Sequence, residues 1–473
     1  MATTEYVNIN STELSSSTEV KRRTWWEPAY TMYIANTLFF IPFAINFIVV
    51  DALILSKLCV IKYQNITLCN NSTFTESHPT LEQETADWGS YLTLAQIPLA
   101  VIVNLMLSSY CDRVGHKLPY LLPCIGSFLY SFSLAVLATP QLLDWPIEIM
   151  FIPSFLSSFL GNFSMVLMTS FSYVAQVTPK EKTSVAMATC EGTVLMGVLV
   201  GSLVNGPVIE KTSLMIMTYI NAGITIIAPI IIIFGLVEPP RAEPLIKYKW
   251  RDIINAQRTL DSLRCVFKKR EKHGRLILHL AVAAFATSFI CVSGYTANAY
   301  LYFITERGMS LTEYSVFSTI LQAMKMIAGP AILWLINRYT NPHRTDILMG
   351  SAALLTLGYT IMSIHVIPES LWIGGILTGT VTIFAGEIRF LQTQLCAKNE
   401  LGQMFAYVAL AQFVMGQLAI SVFKELYAVT LFFWPAFYLA LLGVISLTGM
   451  ILVAIIDRLK AADDEDGDGE EDE

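Results

Sequence analysis

Apolar runs of about 17 to 25 residues recur along the chain from Tyr30 to Ile456, separated by polar turns, and about twelve can be counted. Each run is the length a helix needs to cross the hydrocarbon of a bilayer. Helices also satisfy their own backbone hydrogen bonds there, which open strands cannot do. The pattern predicts an all-α membrane protein with spans at 30–54, 88–110, 119–139, 147–174, 184–206, 213–236, 276–304, 313–337, 345–364, 371–393, 402–421 and 431–456. The longest interruption, 237–275, divides them six and six. The organisation predicted is a tail over 1–28, a first six-helix bundle over 29–236, a linker over 237–275, a second bundle over 276–456 and an acidic tail over 457–473. A polar segment of about 28 residues precedes the first span, and no small-residue cleavage pattern follows a short apolar core, so no cleavable signal is expected.

Composition agrees with that pattern: 54% of the 473 residues are apolar and 14% charged, far from the roughly quarter-charged make-up of a soluble domain. The formal charge of −7 is concentrated, because nine of the 37 acids lie between Asp463 and Glu473. That run is expected to be solvated and disordered. Basic residues set the orientation. With the amino terminus in the cytosol, cytosolic segments hold 23 of the 30 Lys and Arg residues and outside segments five, which satisfies the positive-inside bias. Both termini are therefore expected to be cytosolic. The linker carries 11 of these basic residues, including Lys268-Lys-Arg270, after an opening Glu238-Pro-Pro240. Topology and anionic lipid headgroups account for them, so no nucleic-acid partner is inferred.

The first outside loop supplies a second check on orientation. It carries the glycosylation acceptors Asn65-Ile-Thr67, Asn70-Asn-Ser72 and Asn71-Ser-Thr73. Cys59 and Cys69 share this loop, and a disulfide between them is chemically reasonable in an oxidising compartment, although spacing does not establish connectivity. The six His residues are dispersed and no group of ligands has metal spacing. No cofactor is expected beyond a coupling proton. Tyr6-Val-Asn-Ile9 has the form of a tyrosine-based sorting signal, which sets an endosomal or lysosomal destination beside the plasma membrane.

Ionisable groups at membrane depth are costly and usually face a water-filled path or a partner. Glu191 lies in the fifth span, followed by Gly192, Gly197 and Gly201; it is a candidate proton-coupling carboxyl, or else a pairing group near the cytosolic boundary. Glu387 and Arg389 lie in the tenth span. Two positions apart, they do not face each other and need separate partners. Arg389 suits an anionic substrate or a gating carboxylate, because its guanidinium forks onto carboxylates. Lys325 in the eighth span either snorkels to an interface or meets a ligand. Asn46, one turn before Asp51 in the first span, is a further candidate hydrogen-bonding position.

The turn CDRVGHKLP at 111–119 places Asp112, Arg113, Gly115, His116 and Lys117 between two spans. This arrangement resembles the loop between helices 2 and 3 of major facilitator transporters. The resemblance implies the twelve-helix major facilitator fold, with two six-helix bundles and cytosolic termini. Asp112 is then a conformational gate on the cytosolic face, held by a positive group or a helix end, and Gly115 permits the tight turn.

A narrower resemblance rests on Gly161-Asn-Phe163, Phe171-Ser-Tyr-Val-Ala-Gln176, Ala188-Thr-Cys-Glu-Gly192, Ile388-Arg389 and Leu401-Gly402-Gln-Met-Phe405-Ala. Across about 28–457 the chain resembles solute carrier family forty-six, the proton-coupled folate transporter and its relatives. This implies a proton-coupled symporter of organic anions, with Glu191 matching the coupling carboxylate, Arg389 the arginine of span 10 and Asp112 the acid of the 2–3 loop. The chain departs from the folate transporter at Asn162, where that protein has an acid, at Ser293 in place of a histidine, and at Asn298 in place of another acid. Its disulfide joins the first and fourth outside loops. The corresponding segment here, Glu306 to Leu311, has no Cys, which favours a bond within the first loop or none. Tyr295, Tyr300 and Tyr302 offer rings for stacking on a pterin or for bundle packing. Two other functions remain in view: a proton-independent facilitator of bulky anions, such as peptidoglycan fragments, cyclic dinucleotides or steroid conjugates, and a transporter-like receptor. No set of nucleophile, base and orienting group suggests an enzyme. The expected partners are the substrate anion, protons and membrane lipids, with the chain a monomer.

Overall fold

The computed structural model describes residues 28–65, 69, 79–179, 182–238, 267–270, 272–303, 307, 311–340, 343–364, 369–396, 400–430 and 433–471. Twelve membrane-length apolar helical segments are present among them. They are built from α1 (Pro28–Tyr63), α2 (Pro79–Arg113), α3 (Lys117–Leu137), α4 (Phe151–Phe159), α5 (Asn162–Val177), α6 (Thr183–Lys211), α7 (Leu214–Ile224) and α8 (Ile227–Gly235). There follow α9 (Gly274–Leu301), α10 (Leu311–Tyr339), α11 (Arg344–Met362), α12 (Ser370–Thr378), α13 (Val381–Gln394), α14 (Leu401–Thr430) and α15 (Phe437–Glu471).

The spans outnumber neither prediction nor observation, but three of them are broken. The fourth is split into α4 and α5 at Gly161, whose φ of 106° is a left-handed conformation that a Cβ would strain. The sixth divides between α7 and α8, and the tenth between α12 and α13 at Gly379 and Thr380. The opening helices also run past the apolar limits. Helix α1 continues to Tyr63 and α2 begins at Pro79, so Cys59 lies on a helix rather than in a loop. Cys59 is joined to Cys69 by a disulfide with Cα atoms 5.8 Å apart. At the other end, the disorder expected from Asp463 onward is corrected, since α15 stays helical through Glu471. Asp463 on that helix accepts from the His273 ring at 2.7 Å and from Lys272. These contacts tie the acidic segment to the start of α9.

Among the first six spans, α1 packs along α6, α4 against α2 and α3, and α3 against α7. Glycines set the first of these contacts: a Cβ on Gly197 would sit 2.7 Å from that of Phe40, and one on Gly201 2.8 Å from that of Ala44. Only glycine allows such close approach. Among the last six spans, α15 packs on α9 and α11, and α9 on α14. Between the two sets, α6 meets α10 and α13, while α14 meets α2 and α5. Large apolar side chains such as Phe159, Phe234, Ile327 and Val422 point outward, as a lipid-facing surface requires.

Candidate functional site

Helix α13 brings Arg389 to the place where α6, α5, α9 and α14 converge. The side chain is wholly buried. Its guanidinium lies 3.5 Å over the ring of Phe171 and 4.5 Å from that of Phe285. Aromatic faces attract a cation and hold a planar guanidinium in one orientation. One amino group donates to Gln412 Oε1 at 3.1 Å. The other neighbour is Glu191 on α6, whose Oε2 lies 3.2 Å from Nη2 as an ion pair, out of line for a hydrogen bond. The Nε–H is buried without a partner among the described residues. A charged donor group is thus left with spare capacity.

The pair joins a helix of the first six spans to one of the last six. One turn away the contact is tighter still: a Cβ on Gly386 would meet that of Ala188 at 2.8 Å. Phe171 also touches Phe405, and Phe163 touches Phe413, along the same seam. Glu387, two residues before Arg389, turns away and pairs with Arg344 on α11 at 3.1 Å. Both members of the i,i+2 pair therefore find partners on different helices.

The remaining predicted positions have other surroundings. Asn46 donates to Ser131 Oγ at 3.1 Å and accepts from Asn221 Nδ2 at 2.7 Å, which links α1, α3 and α7. Asn298 donates to the Phe423 carbonyl at 2.7 Å. Asn162 donates to Gln96 Oε1 at 3.1 Å. Tyr295 packs near Phe303 and Tyr359 and lies 5.5 Å from Lys325 Nζ. Asn65 is exposed; Asn70 and Asn71 lie outside the described residues. So do the side chains of Asp112 and Arg113.

Around the 111–119 turn, Gly115 has a φ of 146°. The next helix start, at Lys117, is held by a residue that sequence reasoning did not single out. Glu238 accepts from the backbone N–H of His116 at 2.9 Å and of Lys117 at 2.8 Å, an anion on the positive end of α3. Lys117 Nζ donates to the Ile233 carbonyl at 3.2 Å. Burial pushes the Glu238 carboxyl up, but hydrogen bonds from the His116 side chain and from these amides outweigh it and hold it at about 2. Its position directly after the sixth span, before two prolines, was the available signal.

The family model for the major facilitator superfamily matches residues 89–420, well over half of the chain. The chain belongs to that superfamily. Its members are carriers rather than enzymes. Among solved structures, the chain is similar to the human organic anion transporter MFSD10 (TETRAN), at 14% identity and a TM-score of 0.67, over 90% of this chain and 99% of that one. It is similar to the proton:xylose symporter XylE at 13% identity and a TM-score of 0.65, over 92% and 98% respectively. The E. coli fucose:proton symporter FucP gives 13% identity and a TM-score of 0.57, over 91% and 99%. At such identities these likenesses show the fold alone.

Proposed function

We propose that this major facilitator protein is a proton-coupled symporter of organic anions, in which Arg389 binds the anion and Glu191 carries the coupling proton. The observation that carries this reading is the Glu191–Arg389 pair at 3.2 Å. A carboxylate on the protein and a carboxylate on a substrate compete for one guanidinium. Protonation of Glu191 removes the competitor and frees Arg389 for the incoming anion. Return of the carboxylate after deprotonation displaces that anion on the other side. The coupling thus follows from charge competition at a single buried cation.

The two sets of six spans would rock about this pair as two bundles. On this reading the His116 turn and both termini face the cytosol, which the positive-inside bias supports; Cys59, Cys69 and a glycosylated Asn65 face outside, and the protein works at the plasma membrane. The dispersed motifs favour solute carrier family forty-six, and folate or an antifolate is the first substrate to test. That one similar fold is described as an organic anion transporter and two as proton symporters agrees with both halves of the reading. The test is uptake of labelled folate by cells displaying the chain, at outside pH of about 5.5 and 7.4, with Arg389→Ala as control. Acid-stimulated uptake lost in the control supports the proposal. Uptake that needs Arg389 but ignores the pH gradient indicates a facilitator instead, and absence of uptake at confirmed surface expression removes folate.

A further inference from the structure

Lys325 stands at the midpoint of α10, fourteen residues from Leu311 and from Tyr339. It is 7% exposed. Either helix end is about 21 Å away along the axis, far beyond a lysine stem, so snorkelling to an interface does not explain it. Among the described residues Nζ has neither an ion-pairing carboxylate nor a hydrogen-bond acceptor; the Tyr295 ring centroid lies 5.5 Å away. One aromatic face does not offset the desolvation of an ammonium group. One turn earlier on the same helix face, the buried Gln322 Oε1 is also without a partner. A cation and an amide oxygen are therefore both unsatisfied at one place inside the last six spans.

The position is tied to Arg389 through α13. Thr382 donates its hydroxyl to the Lys325 carbonyl at 2.8 Å, and Arg389 follows Thr382 by seven residues, two helical turns. The two residues share a helix face about 10 Å apart along the axis. Arg389 lies nearer the end that carries the His116 turn. Lys325 side chains point back toward the helix start, which is the end that carries Tyr295. The two cations thus form successive stations along the axis.

We propose that Lys325 is a second anion-binding position and that the transported molecule is an elongated acid with an anionic group at each end, one meeting Arg389 and the other Lys325. This rests on the reading of Arg389 as the first position. Tyr295 would line the Lys325 end, and a rigid aromatic body would bridge the two stations with less ordering than a flexible chain.

The test uses the full-length protein in lipid discs near pH 5.5, titrated with biphenyl-4,4′-dicarboxylate and with biphenyl-4-carboxylate. The expected result is at least tenfold tighter binding of the diacid by wild type, from one added charge-assisted contact. Lys325→Met, which keeps an apolar stem, should erase that preference by bringing diacid affinity down to that of the monoacid. Lys325→Arg, monodisperse and charged, should retain it. A preference that survives in Lys325→Met, equal binding of both acids by wild type, or binding of neither would overturn the second position while leaving the Arg389 reading standing. Monoacid binding untouched in Arg389→Met would overturn both.

Discussion

Replacing Arg389 with Lys keeps the positive charge and removes the planar fork, so it separates charge from geometry at the centre of the site. The guanidinium lies 3.5 and 4.5 Å from the ring centroids of Phe171 and Phe285 and donates to Gln412 at 3.1 Å. A hydrogen bond to a charged group contributes about 1.5–3 kcal/mol, and a desolvated cation–π contact about 2 kcal/mol. A lysine ammonium regains part of one or the other, but one compact group does not fill both. The net loss is then about 2–3 kcal/mol, or roughly thirty- to a hundred-and-fiftyfold in anion affinity. Half-saturation of substrate exchange in proteoliposomes measures it, with Arg389→Met as the charge-free reference. If Arg389→Lys stays within about twofold of wild type while Arg389→Met abolishes binding, charge alone governs the site and the argument from the two aromatic rings fails.

Three further outcomes are expected. Gly386→Val, whose Cβ would lie 2.8 Å from that of Ala188, should force this seam apart and lower transport at equal surface expression; transport equal to wild type would show that the close approach is not needed. Glu238→Gln should lower thermal stability by up to about 3 kcal/mol. Because the folded carboxyl sits at about 2 against an ordinary 4.5, the contribution is full above pH 4.5 and fades as pH falls toward 2. An equal deficit at about pH 7.4 and 5.5 is expected, and a deficit that vanishes by 5.5 would contradict the assignment. Asn46→Ala leaves the buried Ser131 and Asn221 groups short of a partner, so it should cost about 1–3 kcal/mol of stability with little change in half-saturation; the reverse pattern would put Asn46 in the substrate path.

Hydrophobic periodicity reaches far in a chain of this kind because the bilayer imposes one length on every crossing. It located each span but not the breaks, since Gly161 and Thr380 interrupt helices without interrupting apolarity. It also stopped short at Cys59 and at Asp463, where polar residues continue a helix because a disulfide or a charged contact holds them. Single expensive residues were visible in the same way: Glu191, Glu387, Arg389 and Lys325 stand out in apolar runs. Their pairing was not, because Glu191 and Arg389 meet only once two distant helices pack, and Glu387 reaches Arg344 across a third. Phe285 looked like any other packing residue and Phe171 stood out only as part of a motif, with no sign of its contact with Arg389, whereas Gln412, polar within the eleventh span, was a signal open to notice.

The central claim is that Glu191 couples proton movement to anion movement by competing for Arg389. Proteoliposomes carrying Glu191→Gln test it in one preparation, by comparing substrate exchange at equal pH with accumulation driven by an acid-outside gradient. The account predicts that exchange persists while gradient-driven accumulation is lost. Accumulation equal to wild type under the same gradient would contradict it.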